Sequence, residues 1–175
     1  MKNNFLILGF VLMFLTACGG SNGGGNSNND GGDNLNLPPD PGEAGKLTIE
    51  GIDSDNDGVR DDIQRYIAIT YPASESIRRV LTDMAKANQD FIFNADDKDK
   101  VLEADLERDK QIDCFYYLDS EGAYKKSKKI KAELLNTEER TRAYIKADSY
   151  LGGMSFRLPS DKKAQCSFNP DLLVN

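Results

Sequence analysis

Apolar residues return at three- and four-residue steps through most of the chain beyond residue 60, so the pattern is helical rather than stranded. The clearest stretch follows Ser74. There Ile77, Val80, Leu81, Met84, Asn88, Phe91 and Ile92 share one face, with Ser74 or Ser76 as N-cap. A shorter helical stretch precedes it over 62–71. After the Asp96-Asp97-Lys98-Asp99 break, Val101, Leu102, Leu106, Ile112, Phe115 and Tyr116 predict a further helix with a very polar middle and a narrow buried stripe. Ala123, Ser127, Ile130 and Leu134 mark the next. Asn136 and Glu139 make a capping box for a last helix carrying Ala143, Tyr144, Ala147 and Leu151, which Gly152-Gly153 ends. The remainder, with Pro159 and Pro170, reads as an irregular tail with a short strand at 154–158. The expected fold class is mainly α: a small irregular bundle of four or five short helices, its C-terminal tail held by a disulfide.

The N-terminal part follows another logic. Lys2 precedes an apolar run from Phe5 to Ala17 that is too short to cross about 30 Å of hydrocarbon, as expected of a signal peptide over 1–17. The residues Leu15-Thr16-Ala17-Cys18 resemble the lipobox of bacterial lipoproteins. That resemblance implies a lipidated Cys18, a palmitate-type anchor in the membrane and a place in the cell envelope, with Gly19 pointing to the outer membrane of a Gram-negative bacterium. Residues 18–45 are rich in Gly, Asn, Asp and Pro and hold almost nothing apolar, so no core forms there. They read as a tether with an r.m.s. span of roughly 28 Å, stiffened at Pro38-Pro39-Asp40-Pro41. Residues 46–175 are left as a single helical domain.

Composition narrows the chemistry. The 175 residues contain no histidine and no tryptophan, which excludes Ser-His-Asp and Cys-His mechanisms and HExxH zinc sites. Acids are abundant enough for a glycosidase-like pair, but no motif frames one, and the chain is read as a non-enzyme. Asp+Glu 29 against Lys+Arg 22 argues against nucleic acid as a partner. In an oxidising periplasm, Cys114 and Cys166 have only each other as intramolecular partners, and closing a loop of about 50 residues is worth roughly 4 kcal/mol in the chain-entropy view.

One segment carries recognisable chemistry: Asp53-Ser54-Asp55-Asn56-Asp57-Gly58-Val59-Arg60-Asp61. Calcium takes six to eight hard oxygens at about 2.3–2.6 Å, and carboxylates at alternate positions of a tight loop converge when glycine permits the turn. Asp53, Asp55 and Asp57 would supply carboxylates, Val59 its carbonyl, and Asp61 a direct or water-bridged contact, above Ile52 and Ile63. In these residues the loop resembles the DxDxDG loops of EF-hands, dockerins, excalibur modules and thrombospondin type-3 repeats. It departs from the EF-hand where Gln64 replaces the closing glutamate and where an incoming helix is missing, since 47–50 reads as extended. The resemblance implies a calcium ion that staples the junction. The competing reading is an Asp-rich turn that starts a helix.

A second cluster is the run Lys125, Lys126, Lys128, Lys129 and Lys131. On a helix, Lys125, Lys128 and Lys129 would form a cationic face suited to an acidic envelope protein or an anionic glycolipid, unless it is merely solvated. The expected function is thus a lipid-anchored binding or accessory module with a structural calcium site. The alternative is a metal-free structural or inhibitor-like envelope lipoprotein that meets an acidic partner through the lysine face.

Overall fold

A computed structural model describes residues 37–155 and 159–173, which belong to one compact unit. The Cys18 lipobox and most of the tether lie outside the described residues. The described chain is mainly α, as the periodicity predicts, with five α-helices, short 3₁₀ turns and no strand. The helices are α1 (Asp61–Thr70), α2 (Glu75–Phe93), α3 (Lys98–Leu118), α4 (Ala123–Leu134) and α5 (Glu138–Ser149). None of the described helices is long and apolar enough to cross a membrane.

Helix α2 is the hub and touches each of the other four. Ser74 caps it, its Oγ accepting the Ile77 N–H at 3.2 Å, and the expected stripe from Ile77 to Ile92 is buried. Burying side chains of this size is worth about 1.5–3 kcal/mol each, which makes this stripe the chief apolar contribution of any one helix. Asp97 caps α3 by accepting from the N–H groups of Asp99 and Lys100, and the four-residue link from α2 folds the pair into an antiparallel hairpin.

The face that α3 buries differs from the expected one. Leu106 is 60% exposed, whereas Val101, Ala104, Gln111, Cys114 and Phe115 are buried together with Asp105 and Asp113. At about 100° per residue, position 106 points away from the side shared by 104, 108, 111 and 115. Part of the polar middle, Asp105 and Gln111, is therefore folded inward, while Glu103, Glu107 and Lys110 stay exposed.

Helix α5 also starts differently. Thr137, not Asn136, is its N-cap, with Oγ1 accepting the Arg140 N–H at 3.2 Å. Asn136 instead joins, from the surface, a network around two buried arginines. Its Oδ1 accepts from Arg140 Nη1 at 2.6 Å and Arg60 Nη2 at 3.3 Å, while its Nδ2 donates to Asp62 Oδ2 at 3.1 Å. Arg60 and Arg140 are 1% and 0% exposed. Arg60 grips Asp62 through two bonds, and Arg140 donates to the carbonyls of Gly45, Thr48 and Ile49 at 2.7, 2.9 and 2.9 Å. Burial, and after it the nearby Arg60 charge, lowers the Arg140 pKa. Asp62 is pushed up by burial but held below its ordinary value overall by Arg60 and Asn136.

That clamp shapes the segment before the loop. Gly42–Lys46 forms a 3₁₀ turn with Gly45 buried, and 47–50 bends around the guanidinium instead of running as the expected extended segment. Gly51, at φ +71°, leaves room for Arg140, since a Cβ there would meet Nη2 at 2.8 Å.

At the other terminus, the Cys114–Cys166 disulfide pins the tail to α3, and Phe168 packs on the same apolar cluster. The tail has 3₁₀ turns at Lys163–Gln165 and Pro170–Leu172. Of the strand expected at 154–158, Met154 and Ser155 have no regular structure, and 156–158 lie outside the described residues.

Candidate metal centre and lysine face

The Asp-rich loop is built by backbone turns that only certain residues tolerate. Asn56 and Gly58 sit at φ +56° and +88°, a region open to asparagine and glycine at little steric cost. A Cβ at Gly58 would still find space, with only the Lys86 side chain near, so the requirement there is conformational. The loop closes where Asp61 N–H donates to the Ile52 carbonyl at 2.8 Å.

Its carboxylates are ordered by amides. Asp53 accepts from the N–H groups of Asp57 and Gly58 at 3.2 and 3.0 Å, and Asp61 accepts from Ser54 N–H at 2.9 Å. From α2, Gln89 fastens the loop through both ends of its amide, donating to the Gly58 carbonyl and accepting from Arg60 N–H. Val59 and Ile63 are buried in the main core, and Ile52 is half-buried.

One oxygen each from Asp53, Asp55 and Asp61 lies within 4.8 Å of the other two. Three of the five expected ligand positions thus converge. Asp57 lies outside that cluster, with Oδ1 accepting from Val59 N–H at 2.7 Å. Burial above all, with the neighbouring Asp55 charge, raises its pKa. Val59 is fully buried and follows Asp57 in the loop, in the place the spacing gives to a carbonyl ligand.

Gln64 faces the loop from α1. Its Nε2 donates to Asp55 Oδ2 at 3.0 Å, and this hydrogen bond is the main reason the Asp55 carboxyl falls below its ordinary pKa. Its Oε1 is shielded from solvent and has no hydrogen-bond partner among the described residues. A buried amide oxygen without a donor is costly, typically 1–3 kcal/mol. Rotating the amide would turn that oxygen toward the carboxylates, where a cation would need it and where the Nε2 donor now stands.

The lysine run divides in two. Lys126 is paired with Asp119, and Lys131 donates to the Tyr144 hydroxyl at 3.0 Å, so both are engaged within the fold. Lys125, Lys128 and Lys129 are exposed and have no carboxylate within ion-pair distance among the described residues. Lys128 lies 5.2 Å over the Tyr124 ring, which is itself 62% exposed. The acidic stretch of α3 does not neutralise these three: Asp105 pairs with Arg108 and Glu107 with Lys110.

Sequence reasoning misses the two buried arginines and the two glutamines that position the loop. Arginine and glutamine read as surface residues in a helical pattern, and only the missing twelfth carboxylate draws attention to Gln64. Compared with known proteins, the chain matches no family model, no curated protein and no solved structure.

Proposed function

We propose that this chain is a lipid-anchored module of the cell envelope, tethered through Cys18, whose folded domain is stapled at its N-terminal junction by one calcium ion. The observation that carries the calcium reading is the convergence of Asp53, Asp55 and Asp61 within 4.8 Å beside an unpartnered amide oxygen on Gln64. Asp53, Asp55 and Asp61 would hold the ion, Gln64 would add a neutral oxygen after its amide turns, and the Val59 carbonyl and Asp57 would complete the shell. Neutralising carboxylates that now crowd one turn would favour the closed loop. The role is structural.

Thermal unfolding of the secreted chain, disulfide intact, in EDTA and across roughly 0.1–10 mM calcium tests this reading. A site with Kd near 0.1 mM, within the range of extracellular modules, adds about 2.7 kcal/mol at a hundredfold excess of ligand. Magnesium should not reproduce the shift, and Asp55→Ala with Asp57→Ala should abolish it. A melting curve indifferent to calcium sinks the metal reading and leaves the segment as a turn that starts α1. For the anchor, Cys18→Ala should move the protein from the membrane to the soluble fraction.

The three unpaired lysines favour a second reading, in which the face bearing Lys125, Lys128 and Lys129 meets an acidic envelope protein or an anionic glycolipid. Under that reading, salt-sensitive binding to anionic glycolipid vesicles is lost in Lys128→Glu with Lys129→Glu and is unaffected by EDTA.

A further inference from the structure

Between α2, α3 and α4 lies a cleft of about 230 Å³, away from the Asp-rich loop. Its apolar lining comes from Met84 and Ile112, and three charged side chains, Arg108, Asp109 and Lys131, reach it. Arg108 is fixed from several sides: Nη1 donates to Asp105 at 2.7 Å, Nε to Asn88 Oδ1 at 3.2 Å, and the guanidinium lies 4.0 Å over the Phe91 ring. Its Nη2 makes only a long 3.4 Å contact with the Tyr144 hydroxyl.

The other two charges are unpaired. Lys131 Nζ contacts the Tyr144 hydroxyl and ring but no carboxylate, in a protein with an excess of acids. Asp109 is half-buried yet forms no hydrogen bond or ion pair among the described residues. Burial and the neighbouring Asp105 charge raise its pKa against the pull of Arg108, with Asp113 also raising it, so its surroundings favour an incoming cation. Neither the Lys131 ammonium nor the Asp109 carboxylate has an opposite charge within ion-pair distance among the described residues, although each has lost part of its hydration in this half-buried cleft.

We propose that this cleft binds a small zwitterion of α-amino-acid chemistry: its carboxylate on Lys131 and Arg108 Nη2, its ammonium on Asp109, and a short aliphatic group on Met84 and Ile112. The ligand's two charges match the cleft's two unmet charges in sign and number. The inference is independent of the calcium reading, because none of its residues belongs to the loop.

The test is isothermal titration and amide NMR of the secreted chain with L-leucine, N-acetyl-L-leucine and L-leucinamide, in EDTA and in calcium. Leucine should bind saturably in both. Removing either charge from the ligand should weaken binding about tenfold or more, as expected when a charge-assisted hydrogen bond is lost. Asp109→Asn should weaken leucine by a similar factor without weakening N-acetyl-leucine further, and Lys131→Met should act in the same way with leucinamide as its insensitive partner. Melting temperatures no lower than that of the parent for both variants exclude unfolding as the cause. Absence of saturable shifts with any of the three probes, or N-acetyl-leucine binding as well as leucine, overturns the proposal, the latter by reducing the cleft to a site for plain anions.

Discussion

The two ends of the α2–α3 hairpin are built by different means. At one end, Ile77, Val80, Leu81 and Met84 from α2 meet Cys114 and Phe115 from α3, with Ile63 and Ile67 of α1 and Ile130 and Leu134 of α4 closing the cluster and the disulfide beside it. At the other, the buried cluster is Phe91, Ala95, Val101, Ala104 and Ala147, with Tyr144 tilted against Phe91 at 5.5 Å between centroids. Three alanines cover little area, so the second end relies on Arg108, which lies against the Phe91–Tyr144 ring pair and is paired with Asp105. Area burial holds the first end, and cation–π and ionic contacts hold the second. A core made of aliphatic groups tolerates pH and salt. One made of a half-buried ion pair is sensitive to whatever changes its charges.

Three measurements test that contrast. The largest effect is expected from Cys114→Ser with Cys166→Ser, which opens a loop with a sequence separation of 52 and should cost about 4 kcal/mol in denaturant unfolding. It should also free the tail while leaving the Phe91–Tyr144 end in place, as amide exchange would show. Next, Leu81→Ala should cost roughly 3 kcal/mol and Val101→Ala about 2 kcal/mol in the same assay. Equal costs for a larger and a smaller truncation would mean that the second end is packed as tightly as the first, and that the division drawn above is wrong.

The smallest effect is expected where the two ends meet. Asp109 has its pKa raised in the folded chain, so the folded state binds its proton more readily than the unfolded one. The stability linked to that proton is present below the ordinary value of 3.8 and is lost as pH rises through the folded pKa. Asp109→Asn should therefore raise the melting temperature at pH 7, by no more than about 0.5 kcal/mol equivalent, and the gain should fade toward pH 4. A variant less stable than the parent at pH 7 would show that Asp109 has a partner in the free protein.

The hairpin also explains what the chain discloses before it is folded. Helix α2 is legible because its buried positions are apolar and fall at helical spacing, so periodicity alone assigns its face. The buried face of helix α3 is not, because Asp105, Gln111 and Asp113 are buried while Leu106 is exposed, and a hydropathy pattern has no means of placing polar side chains inside. The start of α5 is misread for a related reason: Asn136 and Thr137 are both good caps, and the choice is made by Arg60, Asp62 and Arg140, which are distant in sequence. In the loop, the Asp spacing reveals the convergence of Asp53, Asp55 and Asp61, but the orientation of Asp57 toward its own backbone and the buried Gln64 oxygen depend on packing.

The Arg140 clamp has a mechanical side. Tension drawn along the chain from its N-terminal direction first meets the Pro38 carbonyl, held by Arg65 Nη1 at 2.9 Å, and then the carbonyls of Gly45, Thr48 and Ile49 on one guanidinium. Those three bonds gather on one side chain of α5, so a pull on the segment is shared with that helix. The Asp-rich turn lies behind the clamp, and a pull from the N-terminal side is carried across to α5 before it reaches the carboxylates.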